Sequence, residues 1–168
     1  MSVLTSAVAQ NTLGVQGIQS LPITFIEQQL ESVFTDIKPN AVKTGMIATI
    51  EMMELIADYF KKYRAIPYCL DPVMVATSGD VLMEEASQMA IKKRLVPLAT
   101  VVTPNLSETE ILVGKEVTTI KAMEEAAIEI VKELGAQTAV VKGGHLEGGA
   151  IDVFYDGDQI HHLTSERF

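Results

Sequence analysis

Apolar positions along this chain follow two rhythms. Short apolar or β-branched runs at 3–8, 41–44, 68–71, 98–103 and 139–142 read as strands, and 15–19 reads as a short extra one after a turn at Gly14. Between them the spacing turns helical. Phe25, Ile26, Leu30, Val33, Phe34 and Ile37 predict a helix over 22–36, with Pro22 in its first turn. Met53, Ile56, Ala57 and Phe60 share one face of a helix over 50–63. Further helices are expected over 84–94, 107–113 and 120–134, the last closed by Gly135. At the far end, runs at 151–155 and 159–163 flank Asp156-Gly157-Asp158, a hairpin signal.

Strands that alternate with helices predict an α/β fold. Its central sheet is mostly parallel, helices cover both faces, and the final hairpin adds antiparallel strands at one edge. The length of 168 residues fits a single domain, 1–168, with a sizeable core. A net charge of −9 argues against a large surface for nucleic acid or anionic membrane, and leaves room for a small basic pocket. Cys69 is the one cysteine, so no internal disulfide can form, which fits a reducing cytosol. Its neighbours are apolar, which predicts a core thiol. No run of eighteen apolar residues is present, and the expectation is a cytoplasmic protein with neither membrane nor nucleic acid as partner.

Open α/β sheets bind ligands at the carboxyl ends of their strands, so the residues leaving the strands carry the interest. Asp71 opens Asp71-Pro72-Val73-Met74, and Pro72 holds it extended. It is either a turn aspartate or a ligand for Mg²⁺, which takes few protein carboxylates and keeps several waters. Asn105 and Glu108 stand three apart at a helix start, a spacing that makes a capping box or puts two polar side chains on one face. Lys142 ends an apolar strand before Gly143-Gly144-His145, where it either reaches solvent or meets a phosphate. His145 reads as a loop residue. Gln10, Met46 and Val73 leave strands at what should be one edge of the sheet. An amide can both donate to and accept from a ligand, although Gln10 also reads as a loop residue and Met46 as core. Glycine-lysine phosphate loops, dinucleotide fingerprints, nucleophile elbows and zinc spacings are all missing from the sequence.

Four stretches taken together resemble the ribokinase-like vitamin kinases, above all the hydroxymethylpyrimidine/phosphomethylpyrimidine kinases of thiamine biosynthesis. They are Val8-Ala9-Gln10-Asn11-Thr12, Lys43-Thr44-Gly45-Met46, Thr103-Pro104-Asn105-Leu106-Ser107-Glu108 and Val141-Lys142-Gly143-Gly144-His145. The resemblance implies a ribokinase-like three-layer α/β/α fold. It implies ATP-dependent phosphorylation of 4-amino-5-hydroxymethyl-2-methylpyrimidine and of its monophosphate, with ATP and Mg²⁺ as cofactors and a homodimer as the assembly. Gln10, Met46 and Val73 would then bind the pyrimidine, Asn105, Glu108 and Lys142 the ATP phosphates, and Asp71 and Glu108 the metal.

Family members are longer at both ends. They open with a substrate-binding glycine-rich loop, and they close with an anion-hole loop that supplies the group acting on the substrate hydroxyl. The sequence shows neither loop, so the chain is read as lacking both parts, with no residue assigned to that role and no activity expected from these 168 residues alone. Two alternatives stand beside this reading, a pyridoxal/pyridoxine kinase and a non-catalytic nucleotide-binding fragment.

Overall fold

A computed structural model of the chain describes residues 1–63, 66–75, 83–144 and 150–165. The chain opens with an antiparallel ribbon, β1 (Ser6–Asn11) and β2 (Gly14–Ser20). The turn between them is held by Asn11 Oδ1, which accepts from Leu13 N at 2.9 Å, and by Gly14 at φ 138°. The expected strand at 3–8 therefore lies later in the chain and pairs only with β2, in a sheet of its own. Gln10 sits within this ribbon, opposite Val15, rather than at the end of a strand of the main sheet.

Helix α1 (Ile23–Thr35) starts after Pro22 and buries Ile26, Leu30 and Phe34. Strand β3 (Val42–Thr44) leads to α2 (Ile50–Lys62), whose first turn is capped by Thr49. The apolar face of α2 turns inward: Met52, Met53, Ile56, Ala57 and Tyr59 are buried. After β4 (Tyr68–Leu70) comes α3 (Glu85–Ala90), which widens into a π turn at Ile91–Leu95 and tightens into a 3₁₀ turn at Val96–Leu98. Because Val96, Pro97 and Leu98 are still turning, β5 shrinks to Val101–Val102.

Helix α4 (Leu106–Val113) ends at Gly114, which takes the left-handed φ of 71°. Helix α5 (Ile120–Lys132) is closed by a turn around Gly135, also left-handed, that returns Ala136 N to Ile130 O. Strand β6 (Thr138–Val141) and the hairpin β7 (Ala150–Tyr155) and β8 (Ile160–Ser165) complete the chain.

The main sheet runs β3-β4-β5-β6-β7-β8, with the first four strands parallel and the last two antiparallel. This is the expected mostly parallel sheet with an edge hairpin. Successive strands advance in one direction, so right-handed crossovers carry the helices between them to one face. That face buries Leu70, Val102, Ala139, Val141 and Val153. The opposite face carries Cys69, Val101, Thr138 and Val140, each half-buried, so Cys69 is less enclosed than a core thiol. Among the described residues no helix is long and apolar enough to cross a membrane.

Candidate active site

The half-buried face of the sheet ends, at its carboxyl edge, in a cluster of charge. Side chains alternate along a strand, so Asp71 extends the face that carries Cys69, and Lys142 the face that carries Thr138. Asp71 leaves β4 with its N–H bonded to Thr44 O at 3.0 Å, which keeps it in register with β3. Lys43 Nζ then reaches Asp71 Oδ2 at 2.9 Å, and Lys142 Nζ reaches Oδ1 at 3.2 Å. Burial pushes the Asp71 carboxyl up, but the two lysines together outweigh it and hold the group below its ordinary value. Lys43 is raised in turn, first by its hydrogen bond to Asp71.

The β5–β6 pairing continues past both strands. Lys142 N donates to Pro104 O at 2.8 Å, and Asn105 and Lys142 form a parallel bridge. Asn105 then caps α4. Its Oδ1 accepts from Glu108 N at 2.9 Å, and Glu108 Oε2 accepts from Asn105 N at 2.8 Å. The capping box is thus fully formed, and neither bond uses the side-chain nitrogen Nδ2 of Asn105. Glu108 is 2% exposed. Burial raises its carboxyl; the backbone of Asn105, the Lys142 charge and the backbone of Met74 oppose this, while the Asp71 charge adds to it. Asp71, Asn105, Glu108 and Lys142, each singled out in the sequence, therefore form one cluster.

Gly143 fixes how the chain leaves Lys142. Its N–H donates to Asp152 Oδ1 at 2.9 Å. A Cβ here would collide with the Ile151 carbonyl oxygen and lie 2.7 Å from Met123 Cε.

Beside the cluster lies a cavity of about 470 Å³ between the ribbon and the sheet. Gln10, Met46 and Val73 all line it, together with Gly45, Val8 and Ile18. Thr5 Oγ1 donates to Met46 O at 3.2 Å and ties the ribbon to the end of β3. Gln10 reaches this cavity from the ribbon, not from the edge of the main sheet. His145 lies outside the described residues. His161 pairs with Asp156 at 2.9 Å and His162 with Glu124 at 2.7 Å, both away from the cluster. Among the described residues no three His, Cys, Asp or Glu gather as a metal nest. Asp71 and Glu108 are nonetheless oxygen donors of the type that Mg²⁺ takes.

Sequence reasoning gave no role to Lys43 or Asp152. A lysine inside the three-residue run Val42-Lys43-Thr44 was the available signal, since its neighbours face the core and it does not.

The profile of the family described as phosphomethylpyrimidine kinase matches residues 1–168. A hydroxymethylpyrimidine/phosphomethylpyrimidine kinase of Staphylococcus aureus is 42% identical over 170 aligned residues, which cover all of this chain and 62% of that protein. The crystal structure of a phosphomethylpyrimidine kinase from Clostridium difficile superposes with a TM-score of 0.89 at 37% identity, covering 99% of this chain and 71% of that one. An ADP complex of Bacillus subtilis pyridoxal kinase superposes with a TM-score of 0.90, also at 37% identity, covering 99% of this chain and 64% of that one. The chain spans about 62% of the length of the curated relative it matches.

Proposed function

The chain belongs to the phosphomethylpyrimidine kinase family, and from that premise we propose that the full-length protein phosphorylates 4-amino-5-hydroxymethyl-2-methylpyrimidine and then its monophosphate, with ATP as donor. One observation carries the reading. Asp71, Asn105, Glu108 and Lys142 converge where three parallel strands end, beside a cavity lined by Gln10, Met46 and Val73. Phosphoryl transfer needs positioning and neutralisation of charge more than covalent chemistry, and this arrangement offers both.

Gln10 would hold the polar edge of the aminopyrimidine, and Met46 and Val73 would enclose the ring. Lys142 would meet the transferring phosphate. Asp71 and Glu108 would hold Mg²⁺, directly or through water, and Asn105 would orient Glu108. When bound, the metal supplies positive charge between donor phosphates. The ADP bound to the Bacillus subtilis relative supports the nucleotide assignment. The family resemblance supports a cytoplasmic homodimer.

The pyridoxal kinase reading shares this fold, and Gln10 is the residue that favours the pyrimidine. The test is ADP release by the full-length protein with ATP and Mg²⁺, with the pyrimidine or pyridoxal as acceptor. The pyrimidine should show at least ~10-fold higher kcat/KM, the scale on which polar contacts discriminate. No ADP release, or a preference for pyridoxal, would overturn the assignment.

A further inference from the structure

Two cations grip one carboxylate at this site, and they come from opposite sides. Lys142 stands on β6, bridged to Asn105, and it is the lysine whose charge Glu108 feels. Lys43 stands on β3, at the other side of Asp71. Lys43 lines a second cavity of about 460 Å³, which adjoins the ring cavity through the shared residues Thr5, Gly45 and Met46. Lys142 therefore belongs to the donor side and Lys43 to the acceptor side.

The two-part name of the Staphylococcus aureus relative covers two pyrimidines, the hydroxymethyl and the phosphomethyl form. An acceptor that arrives first as an alcohol and then as a phosphate monoester needs a cation that can change partner. Lys43 meets that description. Its side chain is 62% exposed, and Asp71 is its ionic partner among the described residues. Asp71 is the covered end of the pair, at 19% exposed, and it keeps Lys142 as a partner when the exposed Lys43 leaves it. A lysine ammonium is a compact point charge on a flexible stem, suited to a phosphate whose position differs between two substrates.

We propose that Lys43 is the phosphate subsite for the phosphorylated acceptor: with the monophosphate in the ring cavity, its phosphate takes the place of Asp71 on the Lys43 ammonium. The proposal rests on the pyrimidine-kinase reading above. It also accounts for the doubled lysine. Asp71 occupies Lys43 while the acceptor carries no charge, and it turns to the donor side when the acceptor brings its own.

The test compares the two phosphorylation steps in the full-length protein, wild type against Lys43→Gln and Lys43→Arg. In Lys43→Gln the ratio of kcat/KM for the monophosphate to that for the alcohol should fall at least ~10-fold, the loss of one charge-assisted contact. Lys43→Arg should keep that ratio within about threefold, because the charge remains. Calorimetry without ATP gives a readout free of turnover: Lys43→Gln should weaken binding of the monophosphate more than binding of the alcohol. Equal losses on both acceptors would overturn the proposal and leave Lys43 as a partner of Asp71 alone. An unchanged ratio would overturn it too. A wild-type protein that phosphorylates neither pyrimidine would instead sink the function on which the proposal rests.

Discussion

Residues whose local geometry follows from spacing were legible in the sequence, and residues defined by a distant partner were not. Asn105 and Glu108 were legible as a pair because their spacing is that of a capping box. The structure shows the capping box complete, so the cap itself aims Glu108 at the charge cluster. Lys142 was legible because a lysine closing an apolar strand has no place in a core. Lys43 was not, because a lysine in a short strand reads as an ordinary exposed position until Asp71 is seen opposite its end. Gln10 was expected in the pocket and lines it, although from an exposed ribbon whose pairing single-strand reasoning could not foresee. Gln10→Ala in the full-length protein should raise KM for the pyrimidine at least ~5-fold and leave KM for ATP within about twofold, since the contact proposed for Gln10 is to the ring and not to the nucleotide. Equal changes in both constants would make Gln10 a structural residue of the ribbon.

Elements were easiest to read where periodicity and caps agreed. Helices α2 and α5 fall close to their predicted spans because Thr49 and Thr119 cap them and their apolar faces are regular. The stretch from α3 to β5 was misread because Ile91–Leu95 and Val96–Leu98 leave the 3.6-residue rhythm, and periodicity cannot see such a change. The β6–β7 junction is governed by packing that no pattern reports. Gly143→Ala should cost roughly 1–3 kcal/mol, as overpacking does, because the Ile151 carbonyl leaves no room for a Cβ. The same change should lower activity more than the melting temperature suggests, since it shifts Lys142; a variant with wild-type stability and turnover would refute the packing account. The β7–β8 turn makes a separate prediction. Backbone N–H groups of Gln159 and Asp158 and the ring of His161 hold the Asp156 carboxyl at about 2, below its usual 3.8. A depressed carboxylate stabilises the fold above its unfolded pKa, and that contribution fades as pH falls toward the folded value. An NMR titration of Asp156 should therefore show a midpoint near 2, with the hairpin loosening only below about pH 4; a midpoint at the usual value would show that the turn bonds are absent in solution.

At the scale of the molecule, alternation of strands and helices gave the α/β class and the parallel sheet with its edge hairpin. It could not reveal that every crossover leads to the same face, because strand order is not written in periodicity. That one-sidedness leaves the other face half-buried, with Lys43 and Asp71 on it and the cavity lined by Gln10, Met46 and Val73 at its end. The site is a property of the whole sheet, since β3, β4, the β5–α4 junction and β6 each contribute one part. Asp71 is where the parts meet, bonded to β3 through its backbone and its side chain and to β6 through its side chain. The most direct test is kcat of Asp71→Asn in the full-length protein, with the pyrimidine and saturating ATP and Mg²⁺. Asparagine keeps the shape and removes the charge, so the account predicts a fall of at least ~10²-fold, the scale of losing one preorganised charged group, in a protein that still folds. A folded variant with kcat within about twofold of wild type would contradict it.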